Sequence, residues 1–226
     1  MKVSVIVPVY NEEKHIEACL RSLVHQKVKP YEIIIIDNNC TDSTISIVKK
    51  YPVKIIKENK QGITHARNRG FNSARGDILA RCDADSILPP SWTKKIIDNF
   101  NKYNIDALTG PASYHDLRAV DGMQVVRRYL DFMKLVQNNK ETLFGPNMAL
   151  TKSVWEKVKS DTCIDDTKVH EDVDLAIHIL KRGGIIRRDN KLLVSISTRR
   201  ARSKPLSQFV EYPLRLVKTL RSHLED

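Results

Sequence analysis

Glu32-Ile33-Ile34-Ile35-Ile36-Asp37 is the stretch that decides the fold. Four successive isoleucines leave no alternation between a dry and a wet face, which is the pattern of a strand covered on both sides within a parallel sheet. Val3-Ser4-Val5-Ile6-Val7-Pro8 repeats that pattern upstream. Between the two runs, Ile16, Cys19, Leu20, Leu23 and Val24 recur at helical spacing, and Asn11-Glu12-Glu13 places acids at the positive end of that helix. The alternation continues with a helix over 42–51, started by Asp42 and facing inward through Ile45 and Val48, and a strand over 53–57. A helix over 62–75 follows, with Ile63, Ala66, Gly70 and Ala74 as a small apolar stripe and Gly76 as its end, and then a strand over 77–82. Strands alternating with helices predict a doubly wound α/β sheet.

Beyond Pro89-Pro90 the pattern loosens. Thr93, Ile96, Ile97 and Phe100 mark a helix, 106–114 a strand and 121–138 another helix, while 145–150 reads as a turn entering a short strand. A helix over 171–182 is expected to bury Val173, Ala176, Ile177 and Leu180 and to stop at Gly183-Gly184. Residues 206–224 place Leu206, Phe209, Val210, Leu214, Val217, Leu220 and Leu224 along one face of a basic amphipathic helix, with Pro213 expected to kink it. Packing against the protein's own core or a second copy is favoured for that helix, with an anionic membrane surface as the alternative. The 226 residues suit one domain over 1–202, divided into a nucleotide-binding half (1–90) and an acceptor half (91–202), with the amphipathic helix over 203–226.

Composition narrows the function classes. Cys19, Cys40, Cys82 and Cys163 form no C-x-x-C pair, so reduced thiols fit better than a zinc site or a disulfide framework. A net charge of +11 attracts nucleic acid, anionic lipid or phosphate-rich substrates alike. Aromatics make up only 6% and do not interleave with the basic residues, so the stacking platform of a nucleic-acid binder is absent from the sequence. The apolar run at the amino terminus is broken by Pro8 and ended by acids, reading as a strand and not a secretory signal. No apolar run reaches the roughly 18 residues of a membrane span. A cytoplasmic protein is therefore expected, with peripheral contact at the inner face of the membrane as the alternative use of the last helix.

In doubly wound sheets, ligands sit outside the carboxyl ends of the strands where strand order reverses. Three polar clusters fall at such ends: Tyr10-Asn11-Glu12, Asp37-Asn38-Asn39 and Asp83-Ala84-Asp85. Two carboxylates one residue apart, Asp83 and Asp85, can grip a divalent cation carrying a nucleotide diphosphate, because hard cations take oxygen ligands and keep positions for phosphate and water. The G-x-G-x-x-G and Walker patterns do not occur, which weighs against a dinucleotide dehydrogenase or a P-loop enzyme.

VSVIVPVYNEE, EIIIIDNNCTDST, GITHARNRGFNSARGDILARCDADSILPP, GPNMAL and HEDVDL occur in an order that resembles the family-2 glycosyltransferases over about residues 3–200. The resemblance implies the GT-A fold: a Rossmann-like, mostly parallel sheet flanked by helices, with a smaller mixed sheet on the acceptor side. It implies that Pro8, Tyr10 and Glu12 contact the nucleoside, that Asp37 hydrogen-bonds the base or ribose, and that Arg67 lies near the diphosphate. It implies that Asp83 contacts ribose or sugar and shares the metal with Asp85, that Ala84 lies between them at the substrate, and that Asn147 with Gly145 and Pro146 borders donor sugar and acceptor. Asp172 matches the base of inverting members, with Glu171 beside it at the substrate, and Arg199 and Arg200 match a basic segment that closes over the diphosphate. The implied partners are a nucleotide-sugar donor, UDP-linked by preference, a Mn2+ or Mg2+ ion, and a glycan or lipid-linked acceptor, in polysaccharide or glycolipid synthesis.

The chemistry supports those roles separately. A leaving nucleoside diphosphate develops negative charge that a cation and fixed arginines stabilise. An attacking hydroxyl must lose its proton to a group within hydrogen-bond reach. Ordinary explanations stand beside these roles: acids suit a helix start, which covers Glu171, Asp172 and Asp174, and Asp37 can close an Asx turn. His170 is left without a role. The rival enzyme class is a nucleotidyltransferase, whose glycine-rich loop after the first strand is replaced here by Tyr10-Asn11-Glu12-Glu13. The non-enzymatic rival is a basic module binding polyanions or membranes.

Overall fold

The computed structural model describes residues 1–114, 121–198 and 212–224. In chain order, β1 (Val3–Val9), α1 (Ile16–Val24), β2 (Glu32–Asp37), α2 (Thr44–Val48), β3 (Lys54–Lys57), α3 (Ile63–Ser73) and β4 (Ile78–Arg81) form the first half. Then come α4 (Trp92–Lys102), β5 (Ala107–Thr109), β6 (Ala112–Tyr114), α5 (Asp121–Val136), a 3-10 turn (Gly145–Asn147) and β7 (Met148–Thr151). The chain continues through α6 (Lys152–Val158), α7 (Glu171–Lys181), β8 (Ile186–Arg188), β9 (Val194–Ile196) and α8 (Tyr212–Leu224).

The main sheet has seven strands in the order β3-β2-β1-β4-β7-β5-β8, and only β7 runs against its neighbours. β6 and β9 pair in parallel as a second, small sheet, to which Ile87 adds an antiparallel bridge at Ser195. The unbroken apolar runs are explained by cover on both faces. Val3, Val5, Val7, Val9, Ile33 and Ile35 enter a core completed by Leu20 and Leu23 of α1, Val48 of α2 and Trp92 and Ile96 of α4. Ile6, Ile34 and Ile36 enter the opposite core, with Ala66 and Phe71 of α3, Trp155 of α6 and Ile179 of α7. The glycine in the α3 stripe has a steric reason: a Cβ on Gly70 would stand 2.4 Å from Ile6 Cγ2, so only glycine lets α3 lie this close to β1.

Strand order reverses between β1 and β4, and the sheet opens there. The β1–β4 ladder ends at Ile6 paired with Arg81, followed by a last bond from Cys82 N–H to the Ile6 carbonyl. Backbone groups of alternate residues in a strand point to the same neighbour, so the nitrogen of Pro8 faces the β4 side just past that end. Proline has no N–H with which to extend the β1–β4 ladder by another bond, so the pairing ends where the site begins. Asn11 and Asn39, both with positive φ (53° and 68°), turn the chain sharply after β1 and β2.

Several local expectations need correcting. The strand expected over 106–114 is two strands, because Pro111 has no N–H to give and the backbone at Gly110 runs so close to Leu192 that a Cβ would lie 2.0 Å from its carbonyl oxygen. Gly76 does not end α3, which stops at Ser73; Gly76 is the point where the chain passes against β1 and donates its N–H to Ser4 Oγ at 2.9 Å. α6 has no counterpart in the sequence expectations, although Thr151 supplies an N-cap by accepting the Val154 N–H. In α7 Val173 and Ala176 are buried as expected, but Leu175 and Ile179 are buried with them while Ile177 and Leu180 are half-buried, because α7 lies between α6 and α8.

The last helix also differs. Residues 206–211 lie outside the described residues, and Pro213 sits in the first turn of α8, where its missing N–H breaks no helical bond. The inward side of α8 is mixed, with half-buried Leu216, Leu220 and His223 around one polar residue. Thr219 is buried, whereas Leu214 and Val217 of the expected apolar stripe are 57% and 44% exposed. No helix among the described residues is long and apolar enough to cross a membrane.

Candidate active site

A cleft opens at the carboxyl end of β4. Its lining includes Arg81, Asp83 and Asp85 from β4 and the turn after it, Gly145 and Pro146 from the 3-10 turn, and His170, Glu171 and Asp172 at the start of α7. Ile63, Tyr114, Phe144, Ile196, Ser197, Thr198 and Arg215 complete the wall. Asp85 and Asp172, far apart in sequence, thus face one cavity.

Asp172 is buried and held from three sides. Its Oδ2 accepts the Gly145 N–H at 2.8 Å, and its Oδ1 accepts its neighbour's N–H, that of Val173, at 2.9 Å. His170 Nδ1 lies 2.9 Å from the same Oδ1, a contact that requires the proton on Nδ1 because a carboxylate only accepts. Burial alone would raise the Asp172 pKa, but the charge and hydrogen bond of His170, the Gly145 N–H and the Arg81 charge together hold it down to about 2. The same pair acts in reverse on His170: burial disfavours the imidazolium, and the Asp172 charge and hydrogen bond outweigh it, raising the histidine's pKa. A carboxylate offers about four lone-pair positions, so three donors leave Asp172 capacity for one more.

Beneath the cleft runs a buried ionic chain. Glu171 accepts from Arg67 Nη1 at 2.6 Å through Oε2 and binds Arg81 Nη1 through Oε1. Arg67 Nη1 also donates to the Glu171 carbonyl, fixing the first turn of α7 against α3. Arg81 Nη2 reaches on to Asp83 Oδ1 at 3.0 Å. Although burial opposes its charge, Glu171 and Asp83 raise the Arg81 pKa and keep it cationic. Arg81 therefore joins the D-x-D turn to the helix carrying Asp172, a role that the sequence reading missed. The visible signal was a lone charge inside the apolar strand Ile78-Leu79-Ala80-Arg81-Cys82. His170, Tyr114 and Arg215 also went unassigned and line the same cavity.

Among the described residues, the other expected site residues do not line this cavity. Arg67 is fully buried under Glu171, its guanidinium 5.9 Å from the Trp155 ring centre, and does not line the cleft. Asn147 faces inward with its amide fully engaged: Oδ1 accepts from Trp92 Nε1 at 2.9 Å, and Nδ2 donates to the carbonyls of Pro111 and Leu192. Ala84 is a core residue between the two aspartates. Pro8 is buried in β1, Tyr10 is exposed at its end, and Glu12 is buried, donating its N–H to Thr44 Oγ1 at 2.7 Å. Asp37 ends β2 beside Val9 and holds the turn that follows by accepting the N–H of Cys40, three residues on, at 2.9 Å. Asn38 and Asn39 pin the 58–62 loop, as Asn38 Nδ2 donates to the carbonyls of Glu58 and Lys60 and its Oδ1 accepts the Gly62 N–H. Arg199 and Arg200 lie outside the described residues.

The donor set fits a hard cation. Asp83 and Asp85 bring carboxylate oxygens to the cleft wall, and the cavity leaves the remaining coordination positions to phosphate and water.

The family model described as glycosyl transferase family 2 matches residues 4–158, well over half of the chain. The chain belongs to glycosyl transferase family 2. A curated relative, glycosyltransferase AglE of Haloferax volcanii, is 28% identical over 171 residues, covering 72% of this chain and 54% of AglE. The chain spans still smaller shares of other curated relatives that it matches. Among solved structures, the mannosyltransferase PcManGT of Pyrobaculum calidifontis, in complex with GDP-Man and Mn2+, superposes with a TM-score of 0.79 at 19% identity, covering 100% of this chain and 64% of that one. Glucosyl-3-phosphoglycerate synthase of Mycobacterium tuberculosis, in complex with Mn2+, UDP and glucosyl-3-phosphoglycerate, gives 0.71 at 19% identity, covering 98% and 79%. Both have the GT-A architecture of the family, so the fold expected from the sequence is the one found.

Proposed function

We propose that this family-2 chain is a metal-dependent inverting transferase that moves a sugar from a nucleotide-diphosphate donor, UDP-linked by preference, to an acceptor hydroxyl. The observation that carries this reading is the placement of Asp83 and Asp85 in one cleft with a locked, ionised Asp172. Mn2+ or Mg2+ held by Asp85 and Asp83 would neutralise charge on the departing diphosphate.

The chain's own residues supply the rest. Arg81 orients Asp83 and adds fixed positive charge beneath the diphosphate side. The Gly145 N–H and His170 fix the Asp172 carboxylate, whose remaining lone pair accepts the acceptor's proton. The acceptor oxygen bonds to the anomeric carbon, the bond from that carbon to the diphosphate oxygen breaks with its electrons going to the nucleotide, and attack from the far side inverts the centre. A weak base suffices, because the hydroxyl becomes strongly acidic as its oxygen bonds to carbon. The preference for uracil rests on Asp37, whose Oδ2 can accept an imide N–H while Oδ1 holds Cys40. A glycan or lipid-linked acceptor would approach past Tyr114 and Phe144, and the exposed Leu214 and Val217 of α8 favour peripheral membrane contact or pairing with a second copy.

Turnover of a nucleotide-sugar panel tests the reading. Release of nucleoside diphosphate is expected with Mn2+ or Mg2+ and not in chelator, fastest with a UDP-sugar. Asp85→Ala should weaken metal-supported donor binding by at least about tenfold, the lower end of what perturbing a metal site costs. Equal turnover with and without metal, or an unaffected Asp85→Ala, would refute the assignment.

A further inference from the structure

Away from the cleft, three side chains from two helices aim at one point. Asp174 and His178 stand one turn apart on α7, a spacing that stacks them on one helix face. His223 reaches the same point from α8, its Nε2 3.0 Å from Asp174 Oδ1. His178 Nε2 approaches that same oxygen at 3.6 Å, longer than a hydrogen bond. The two rings meet edge to face with centroids 4.8 Å apart. The three ligand atoms all lie within 4.8 Å of one another, and the side chains of Asp174, His178 and His223 are only 1%, 15% and 9% exposed.

We propose that Asp174, His178 and His223 form a site for a zinc-class transition-metal ion, distinct from the donor cation held by the D-x-D. Two imidazole nitrogens and one carboxylate oxygen form a donor set for Zn2+, Co2+ or Ni2+, whereas Mg2+ and Mn2+ favour oxygen donors. Such an ion binds nitrogen and carboxylate oxygen at about 2.0–2.2 Å, and small movements of three convergent side chains would close on it. The carboxylate is already aimed, because its other oxygen, Oδ2, accepts the Cys163 N–H at 3.0 Å, the kind of outer contact that orients a metal ligand. Three protein ligands leave a fourth position for water.

The site is separate from the catalytic one. Asp174 follows Asp172 by two residues, and side chains at that spacing on a helix do not face each other. Asp172 meets Gly145 and His170, while Asp174 meets Cys163 and α8. None of the three ligands is among the described residues lining the cleft. A bound ion would clamp α8 to α7 beside a contact already present, the His170 N–H donating to Thr219 Oγ1 at 2.7 Å. It would thereby steady the helix whose first turn carries Glu171 and Asp172.

Titration of the untagged, nucleotide-free full chain with Zn2+, and with Co2+ as a spectroscopic probe, tests this. One equivalent of Zn2+ is expected in the wild type and equally in Asp85→Ala, so failure here is distinguishable from failure of the transferase reading. His178→Ala and His223→Ala should each weaken binding by about 100-fold or more, since outer-contact changes alone cost about 10- to 100-fold. Zinc should slow amide exchange across 212–224 in the wild type and not in these variants. Melting in chelator confirms that each variant is folded, and His178→Gln, at a partly exposed position, replaces any that is not. Wild type that binds no zinc, binding unchanged in the histidine variants, or binding lost in Asp85→Ala would overturn the proposal.

Discussion

Replacing Asp172 with asparagine is expected to lower sugar transfer by roughly 10²- to 10⁴-fold, the usual worth of a positioned general base, while the affinity for nucleotide diphosphate and metal stays within about twofold. The asparagine oxygen can still accept the Gly145 N–H, so the loop position should survive, but the side chain can no longer take a proton. The amide would also turn a neutral group toward His170, removing the charge that raises the histidine's pKa. Steady-state kinetics, a binding titration and an NMR titration of the His170 ring together check this. The pH dependence has a fixed sign. Because Asp172 ionises at about 2 when folded, its contribution to stability is present above the unfolded carboxylate pKa and is lost as pH falls through about 2. Because the folded pKa of His170 is raised, its contribution is complete below the unfolded value of about 6.5 and is lost as pH climbs through the folded value. Normal turnover by Asp172→Asn would remove the base assignment.

Glu171→Ala is expected to destabilise the fold by about 3–5 kcal/mol, the cost of stripping one partner from a buried ion pair. Arg67 is fully buried and Arg81 nearly so, and Glu171 is the carboxylate that both share. Its removal leaves two guanidinium groups facing each other across the site, with only Asp83 still paired to Arg81. Glu171→Gln keeps the shape and one acceptor and should cost less. Denaturant unfolding at neutral pH measures both variants, and a loss below about 1 kcal/mol for Glu171→Ala, the range of an exposed pair, would show that the chain carries little of the stability.

The parts of this molecule legible in the sequence are those governed by periodicity and by local chain chemistry. The runs 3–8 and 32–37 announced strands covered on both faces, and the sheet buries both. The carboxylates after β4 and at the start of α7 were visible as charges at element ends, and the fold brings Asp85 and Asp172 to one cleft. What stayed hidden depends on partners distant in the chain. Nothing in the sequence surrounding Arg67 distinguishes a guanidinium facing a diphosphate from one buried under Glu171. Asn147 sits beside the cleft, yet its orientation is set by Trp92, Pro111 and Leu192, each far away in sequence. The apolar stripe of α8 implied an inward-facing side, but only part of it turns inward, and the helix also docks through Thr219 and His223, whose acceptance inside depends on His170 and Asp174. Hydrophobic spacing carries no information about such polar matches.

Thermal melting with UDP and Mn2+, each alone and together, tests the central claim most directly. A ligand at a hundredfold excess over its Kd stabilises the folded state by about 2.7 kcal/mol, or roughly 5–10 °C for a domain of this size. The account predicts such a rise only when nucleotide diphosphate and metal are present together, retained in Asp172→Asn and lost in Asp85→Ala. No shift with any nucleotide diphosphate and metal, or a shift that Asp85→Ala leaves intact, would contradict it.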